Sequence, residues 1–391
     1  KVIRRNIRLA EGDAFVPSLI ARSKTLIGNL GFFSNLDIQE RPSTRSGYSD
    51  ILVKVAETST GEISFGGGYS SQVGGILNFG ISEKNFLGRG QRVSINAKLS
   101  ERESDYTLNL AEPYLFNRDI YASFNLYNNA VDYKESSYDI KREGINLAGN
   151  YTLSEFTRQS IRYGLEVRDL TPKAGASASI IAEKGKTTLS EISTSINVDT
   201  TNNALTPSEG YNFSLASSYA GLGGDKDFVR VTNTGNYYQS YKDELIIFEL
   251  GYDAGVIMGL SQDILISDRF FLGGNNFRGF EQSGIGPRDT VSNDSLGGNL
   301  YYTGSLKSTF GVGLPPELGI RGNWFTTLGS LTGIDNSSLD FKDNSSIRMS
   351  TGLGISWNSP FGPISIILSQ ALLKEDYDIT ESVSFGLGTK F

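Results

Sequence analysis

Alternation of apolar and polar residues with a period of two runs through most of this chain and restricts its fold more than any other feature. Val93, Ile95, Ala97 and Leu99 alternate with Ser94, Asn96 and Lys98, and Ile120, Ala122, Phe124 and Leu126 with Tyr121, Ser123 and Asn125. Near the end, Ile347, Met349, Leu353, Ile355 and Trp357 alternate with Arg348, Ser350, Gly352 and Ser356. Successive side chains of a strand point to opposite faces, so each segment reads as a strand with one apolar and one small or polar face. In a soluble sandwich the apolar face needs a second layer to cover it. Here the other faces are as often charged as not, which suits a polar lumen behind a lipid-facing wall.

About sixteen such segments follow one another from residue 61 to the end, an even number as expected of single-chain membrane barrels. Their connections alternate in length. Leu87-Gly88-Arg89-Gly90, Leu115-Phe116-Asn117-Arg118, Lys242-Asp243-Glu244, Pro315-Pro316 and Ser359-Pro360-Phe361-Gly362 are short, whereas 170–187, 258–296 and 331–346 are long. Short periplasmic turns and long outer loops give this rhythm, and its parity places both termini on the periplasmic side. The longest apolar run, Leu245-Ile246-Ile247-Phe248, is far short of the about 18 residues of a membrane helix. The expected fold class is mainly β: an about 16-stranded antiparallel transmembrane β-barrel over 59–391, preceded by a small α+β unit over 1–58.

Composition narrows the chemistry. The absence of histidine and cysteine removes thiol nucleophiles, Ser-His triads and the usual zinc ligand sets, so no enzyme activity, cofactor or metal site is expected. Asp335, Asp340 and Asp343 lack the glycine and terminal glutamate of a calcium loop and read as a solvated loop. A net charge of -7 argues against nucleic acid as a partner. Glycine at 45 residues with 19 tyrosines and 22 phenylalanines fits long strands with aromatic girdles. The chain begins at Lys1 without methionine or signal peptide and reads as part of a larger, processed protein.

Residues 1–58 differ from the rest. A short helical run over 2–9 precedes a helix opened by Pro17 and Ser18, whose Leu19, Ile20, Leu26, Ile27 and Leu30 form one amphipathic stripe ending at Gly31. Two strands follow, 35–40 with Leu36 and Ile38, and 50–57 with Ile51, Val53 and Val55.

The most specific segment is Gly273-Gly274 followed by Phe277-Arg278-Gly279-Phe280 and Ile285-Gly286-Pro287, inside the loop 258–296. That loop is too long for a hairpin and too aromatic for disorder, so it is expected to pack against something. It resembles the long loop of the BamA family of outer-membrane protein assembly factors, which folds into the barrel lumen with its arginine against the inner wall. The family's acidic partners for that arginine fall at about Ser305 and Thr327 here, and neither is acidic. Glu249 and Asp253 share the inward parity of the eleventh strand and are the expected substitutes. Residues 1–58 resemble a POTRA domain of that family without its first strand, with Leu30-Gly31-Phe32-Phe33 as the matching motif.

The remaining expectations concern the barrel's closure and its partners. Gly66, Gly67, Gly68 and Tyr69 of the first strand meet Gly386 and Gly388 of the last, so the closure is short of cross-strand side-chain contacts and should be soft. The last strand presents Phe385, Leu387 and the terminal Phe391 on one face, which resembles the signal by which outer-membrane barrels are recognised. By the resemblance, Glu11 meets a BamD-like partner among the outer-membrane lipoproteins of an assembly complex, and nascent outer-membrane proteins and the lipid bilayer are further partners. The implied function is insertion of barrel proteins into the bacterial outer membrane through that seam, with the N-terminal unit in the periplasm. A POTRA-barrel protein-translocating transporter, of the two-partner secretion or TamA type, is the alternative.

Overall fold

The structure is a computed structural model that describes the chain except residues 243, 336–339, 360–361 and 389–391, and the side chain of residue 316. Residues 1–58 form a small α+β unit. Helix α1 is Val2–Asn6, shorter than the 2–9 run expected, and helix α2 is Pro17–Gly28. Pro17 sits in the first turn of α2, where its missing N–H leaves no helical bond unmade. Beyond the helix end Gly31 adopts φ +69°, the left-handed conformation that turns the chain into the sheet. Strands Phe33–Pro42 and Ser49–Glu57 pair antiparallel, with Leu36 opposite Val55 and Ile38 opposite Val53. Helix α2 packs on this hairpin through a fully buried Ile27, while Leu19, Ile20, Leu26 and Leu30 are half-buried. Ser23, also buried, donates to Leu19 O and accepts the Arg8 amide at 2.8 Å, tying the preceding linker to the helix.

Helix α1 seats this unit on the barrel. Val2 is buried near the turn at Gly90, where an added Cβ would lie 3.2 Å from Val2 Cγ2. The Arg5 guanidinium lies 4.3 Å from the centroid of the Tyr114 ring, and its Nη1 is 3.7 Å from Glu112 Oε1.

Among the described residues sixteen antiparallel strands close into the barrel, the first being Gly61–Ser70 and the last Val383–Leu387. Every strand pairs with its neighbours in sequence, so the wall is built of hairpins alone. Ile63, Phe65, Leu77, Phe79 and Ile95 point outward and stay exposed, an apolar band that matches lipid and not water. Among the described residues no helix is long and apolar enough to cross a membrane, and the barrel crosses with its strands. The expected last strand, 380–391, begins later, at Val383, and is described as Val383–Leu387; residues 389–391, with Phe391, lie outside the described residues, as do Pro360, Phe361 and Asp243 of the expected turns.

A strand wall with lipid on one side and a lumen on the other has no second layer to pack against, and the buried apolar clusters lie inside it, around the long loops. The 170–187 connection contains helix α3, Ala178–Ala182, whose Ile180 is fully buried with Tyr138, Ile140 and Ile266. Leu272, Phe277, Phe280 and Ile285 form a second cluster with Tyr301 and Leu331 of the inner wall. The loop 258–296 is thus part of the core. For the N-terminal unit, Ile27→Ala is expected to cost about 2–5 kcal/mol, as for other fully buried isoleucines, and more than Leu26→Ala. The denaturation midpoint of residues 1–58, followed by hydrogen exchange in the whole chain, checks this; equal effects of the two changes contradict it.

Candidate functional site in the lumen and at the seam

The long loop joins the eleventh strand, Ile246–Gly259, to the twelfth, Leu300–Gly311, and turns inward between them. Isolated antiparallel bridges pin it at Phe270 to Gly298, Leu272 to Ile285 and Phe280 to Thr380. Phe277 and Phe280 are fully buried and meet edge to face, centroids 5.3 Å apart at 84°. Gly279 between them has φ +93°, and a Cβ there would lie 2.8 Å from Ser350 Cβ, so only glycine fits the turn and the approach to the wall. Ser350 Oγ donates to the Arg278 carbonyl at 2.5 Å and fixes the tip to the fourteenth strand, Arg348–Ser359.

Arg278 itself points into a cavity of about 310 Å³ lined by Thr234, Asn236, Asp253, Ser305, Lys307, Phe325 and Thr327. Its guanidinium carbon is 5.5 Å from the Phe325 ring centroid. The expected ion pair with Glu249 or Asp253 is not formed: among the described residues no carboxylate lies within 4.0 Å of this side chain. Both carboxylates have nearer donors. Lys307 Nζ donates to Glu249 Oε1 at 2.7 Å, and the Tyr301 hydroxyl donates to Asp253 Oδ1 at 2.6 Å. Burial pushes the Arg278 guanidinium down from its ordinary value, with Glu249 acting from a distance as a partial offset. Ser305 and Thr327, where the family pattern leads one to look for acids, do line the same cavity.

The charge that anchors the loop lies ten residues earlier and has the opposite sign. Asp268 is 3 % exposed and sits among three cations of the barrel: Arg168 Nη1 at 2.5 Å, Lys226 Nζ at 3.7 Å and Arg230 Nη2 at 3.9 Å. Arg230 also donates to the Asp268 carbonyl at 2.8 Å, and Arg168 pairs with Glu166. Burial alone would raise the Asp268 carboxyl, but these cations hold it below its ordinary range. Arg269 turns back to donate to the carbonyls of Ile264 and Leu296, closing the root of the loop. Sequence reasoning passed over Asp268. The available signal was the inward parity of Arg168 and Arg230 together with an acid, Asp268, inside the loop.

Other acids in the long loops are also engaged. Arg348, fully buried, pairs with Asp378 at 3.0 Å and donates to the Tyr377 hydroxyl at 3.1 Å. Asp335, exposed, and Asp343, half-buried, also hold hydrogen bonds: Asp335 accepts from the Ile264 amide and Asn299, and Asp343 from Thr332 and the Gly333 amide. Glu11 stays on the surface and pairs with Arg4.

At the closure, the register among the described residues consists of two pairs, Gly386 with Ser70 and Leu387 with Tyr69, plus a 3.1 Å bond from the Ser71 amide to Phe385 O. The third and fourth strands, Gln91–Ser100 and Glu103–Glu112, pair from Arg92–Ala111 to Leu99–Ser104 without a break. On the outer face Tyr69 and Phe385 touch across the seam with centroids 6.4 Å apart. Gly68 has a role beyond lacking a side chain, since a Cβ there would lie 2.5 Å from Leu387 O and 3.2 Å from Gly388 Cα. Gly66 is buried on the luminal side.

The Omp85 superfamily domain matches residues 85–391. The chain belongs to the Omp85 superfamily. Within that superfamily it is 33 % identical over 394 residues to the outer membrane protein assembly factor BamA of Neorickettsia risticii, an alignment covering 100 % of this chain and 53 % of that protein. It is 25 % identical over 398 residues to the human sorting and assembly machinery component 50 homolog, covering 95 % of this chain and 82 % of the relative. The crystal structure of Haemophilus ducreyi BamA lacking POTRA domains 1–3 superposes with a TM-score of 0.90 at 21 % identity, covering 100 % of this chain and 81 % of that one, and has the same fold. The chain spans about half the length of the bacterial BamA relatives it matches.

Two predictions follow from the anchoring of this Omp85 loop. Asp268→Ala leaves three cations facing one another and is expected to cost about 3–5 kcal/mol, whereas Arg278→Ala breaks no ion pair and should cost under about 1 kcal/mol. Thermal unfolding and protease cleavage within 258–296 compare them, and a larger effect of Arg278→Ala contradicts the assignment. The second concerns Glu183, which accepts the Ile266 amide at 2.9 and 3.0 Å and is pushed by burial from its ordinary 4.5 up to about 7. A carboxyl raised in the folded state contributes stability that is complete below its unfolded value and is lost as pH rises through the folded one. Cleavage of the loop should therefore increase between about pH 5 and about pH 7, and Glu183→Gln should flatten that rise.

Proposed function

We propose that this chain inserts β-barrel proteins into the bacterial outer membrane, without covalent chemistry, by parting its first and last strands. The observation that carries the reading is the closing ladder, two register pairs among the described residues, where the third and fourth strands pair without a break from Arg92–Ala111 to Leu99–Ser104. Cross-strand side-chain pairs contribute roughly 0.2–1 kcal/mol each, so this junction is the least costly place to open the wall. Once open, its two edges present unpaired N–H and C=O groups, which template an incoming strand by β-augmentation. The names of the relatives, an outer membrane protein assembly factor and a sorting and assembly machinery component, support the same class of activity.

In this reading residues 1–58 are a POTRA-like unit on the periplasmic side, held to the barrel through Arg5, Tyr114 and Glu112. Glu11, exposed beside Arg4, is the proposed contact for an outer-membrane lipoprotein of the BamD type. The loop bearing Phe277, Arg278, Gly279 and Phe280 keeps the lumen shaped while the seam moves. Phe385 and Leu387 contribute to the chain's own recognition by assembly machinery, as does Phe391.

The chain has no cysteine, so a pair introduced at the opposed positions Tyr69→Cys and Leu387→Cys oxidises without competing thiols. The locked protein should stay folded and cease to insert barrel clients, and reduction should restore insertion. Unchanged insertion by the locked protein rejects strand parting and favours perturbation of the surrounding bilayer. Export of a soluble client through the locked barrel favours a translocating transporter.

A further inference from the structure

We infer that the cavity beside Arg278 is a binding site for a carboxylate carried on an extended polypeptide segment. The guanidinium is delivered there by a rigid tip, with Phe277 and Phe280 buried on either side and the Arg278 carbonyl held by Ser350. It rests against the Phe325 ring and, among the described residues, makes no ion pair and no side-chain hydrogen bond. A half-buried arginine with its five donors unused by protein partners binds a carboxylate strongly, donating two parallel N–H bonds to it in a charge-assisted way. Asp253, the acid in the lining, accepts from Tyr301, and Glu249 on the same strand accepts from Lys307, so neither supplies a substitute.

The rest of the lining defines the ligand further. Thr234, Asn236, Thr303, Ser305 and Thr327 offer hydroxyls and amides that match backbone N–H and C=O groups. Asp253 on the same wall disfavours a small free anion that has nothing else to hold it, and so favours a carboxylate attached to a chain. A volume of about 310 Å³ has room for a side chain carried on an extended segment. The inference goes beyond the assembly reading. It requires the loop in the lumen and not a seam that opens, so this test and the disulfide test fail independently.

The probe is a short fluorescent peptide of alternating serine and valine in three forms: with a free C-terminal carboxylate, amidated, and amidated with one internal glutamate. Fluorescence anisotropy with the full chain in detergent micelles should show at least one acidic form binding about tenfold or more tighter than the plain amide. The order of the two acidic forms tells whether a chain end or a side chain is preferred. Arg278→Gln should erase the advantage. Thr327→Glu, which leaves the arginine but places a carboxylate on the facing wall, should erase it too and raise the thermal stability of the loop. Retained heat-modifiable migration identifies folded variants, and if Arg278→Gln fails to fold, Thr327→Glu decides. Equal binding of all three peptides, or an advantage that survives either substitution, overturns the site.

Discussion

A single carboxylate, that of Asp268, sets the position of everything inside this barrel. It is removed from water at the root of a long loop and faces cations from separate places on the wall: Arg168, Lys226 and Arg230. A charge buried this way is tolerable only where the opposing charges are fixed, and the β-ladder fixes them. With the root held, Arg269 closes the loop onto Ile264 and Leu296, and the apolar residues that follow reach the inner wall at Tyr301 and Leu331. The tip then has one way to sit, with Gly279 against Ser350 and Arg278 turned into the cavity.

This arrangement divides the molecule into a stiff part and a soft part. Ladders such as that between Tyr138–Thr152 and Thr157–Pro172 run the full length of both strands, and the loop clusters brace them from within. The closure has the opposite character. Its last strand is short, its register is brief among the described residues, and Gly68 lets two backbones approach where a side chain would keep them apart. Among the described residues, backbone hydrogen bonds and the Tyr69–Phe385 contact hold it. In the proposed function, motion is directed to this junction while the lumen keeps its shape.

The strands were legible because period two is an unusually plain signal when one face meets lipid: Val93, Ile95 and Leu99 lie in a strand as the alternation implies. That the loop packs was legible from its phenylalanines, which had to be buried somewhere; that it packs in the lumen came from the family resemblance. Partner choice was not. Parity correctly placed Glu249 and Asp253 on the inner wall, yet which donor reaches each acid depends on register between strands, and Lys307 and Tyr301 are nearer than the loop. Asp268 was missed for the same reason, since its cations are 38 to 100 residues away in sequence and meet only when the barrel closes. In the N-terminal unit the helix stripe pointed the right way, but Ile27, and not Leu26, lies at its centre.

The central claim, a firmly held luminal loop inside a wall with one soft junction, is tested most directly by hydrogen exchange of the whole chain in a lipid bilayer, resolved by segment. The account predicts that amides of Gly61–Ser70 and Val383–Leu387 exchange fastest among the strands, while the loop amides of Phe270, Gly274 and Ile285, which donate to Gly298, Phe280 and Leu272, are protected as well as the wall. Uniform protection around the barrel, or a loop that exchanges faster than the seam, would contradict it.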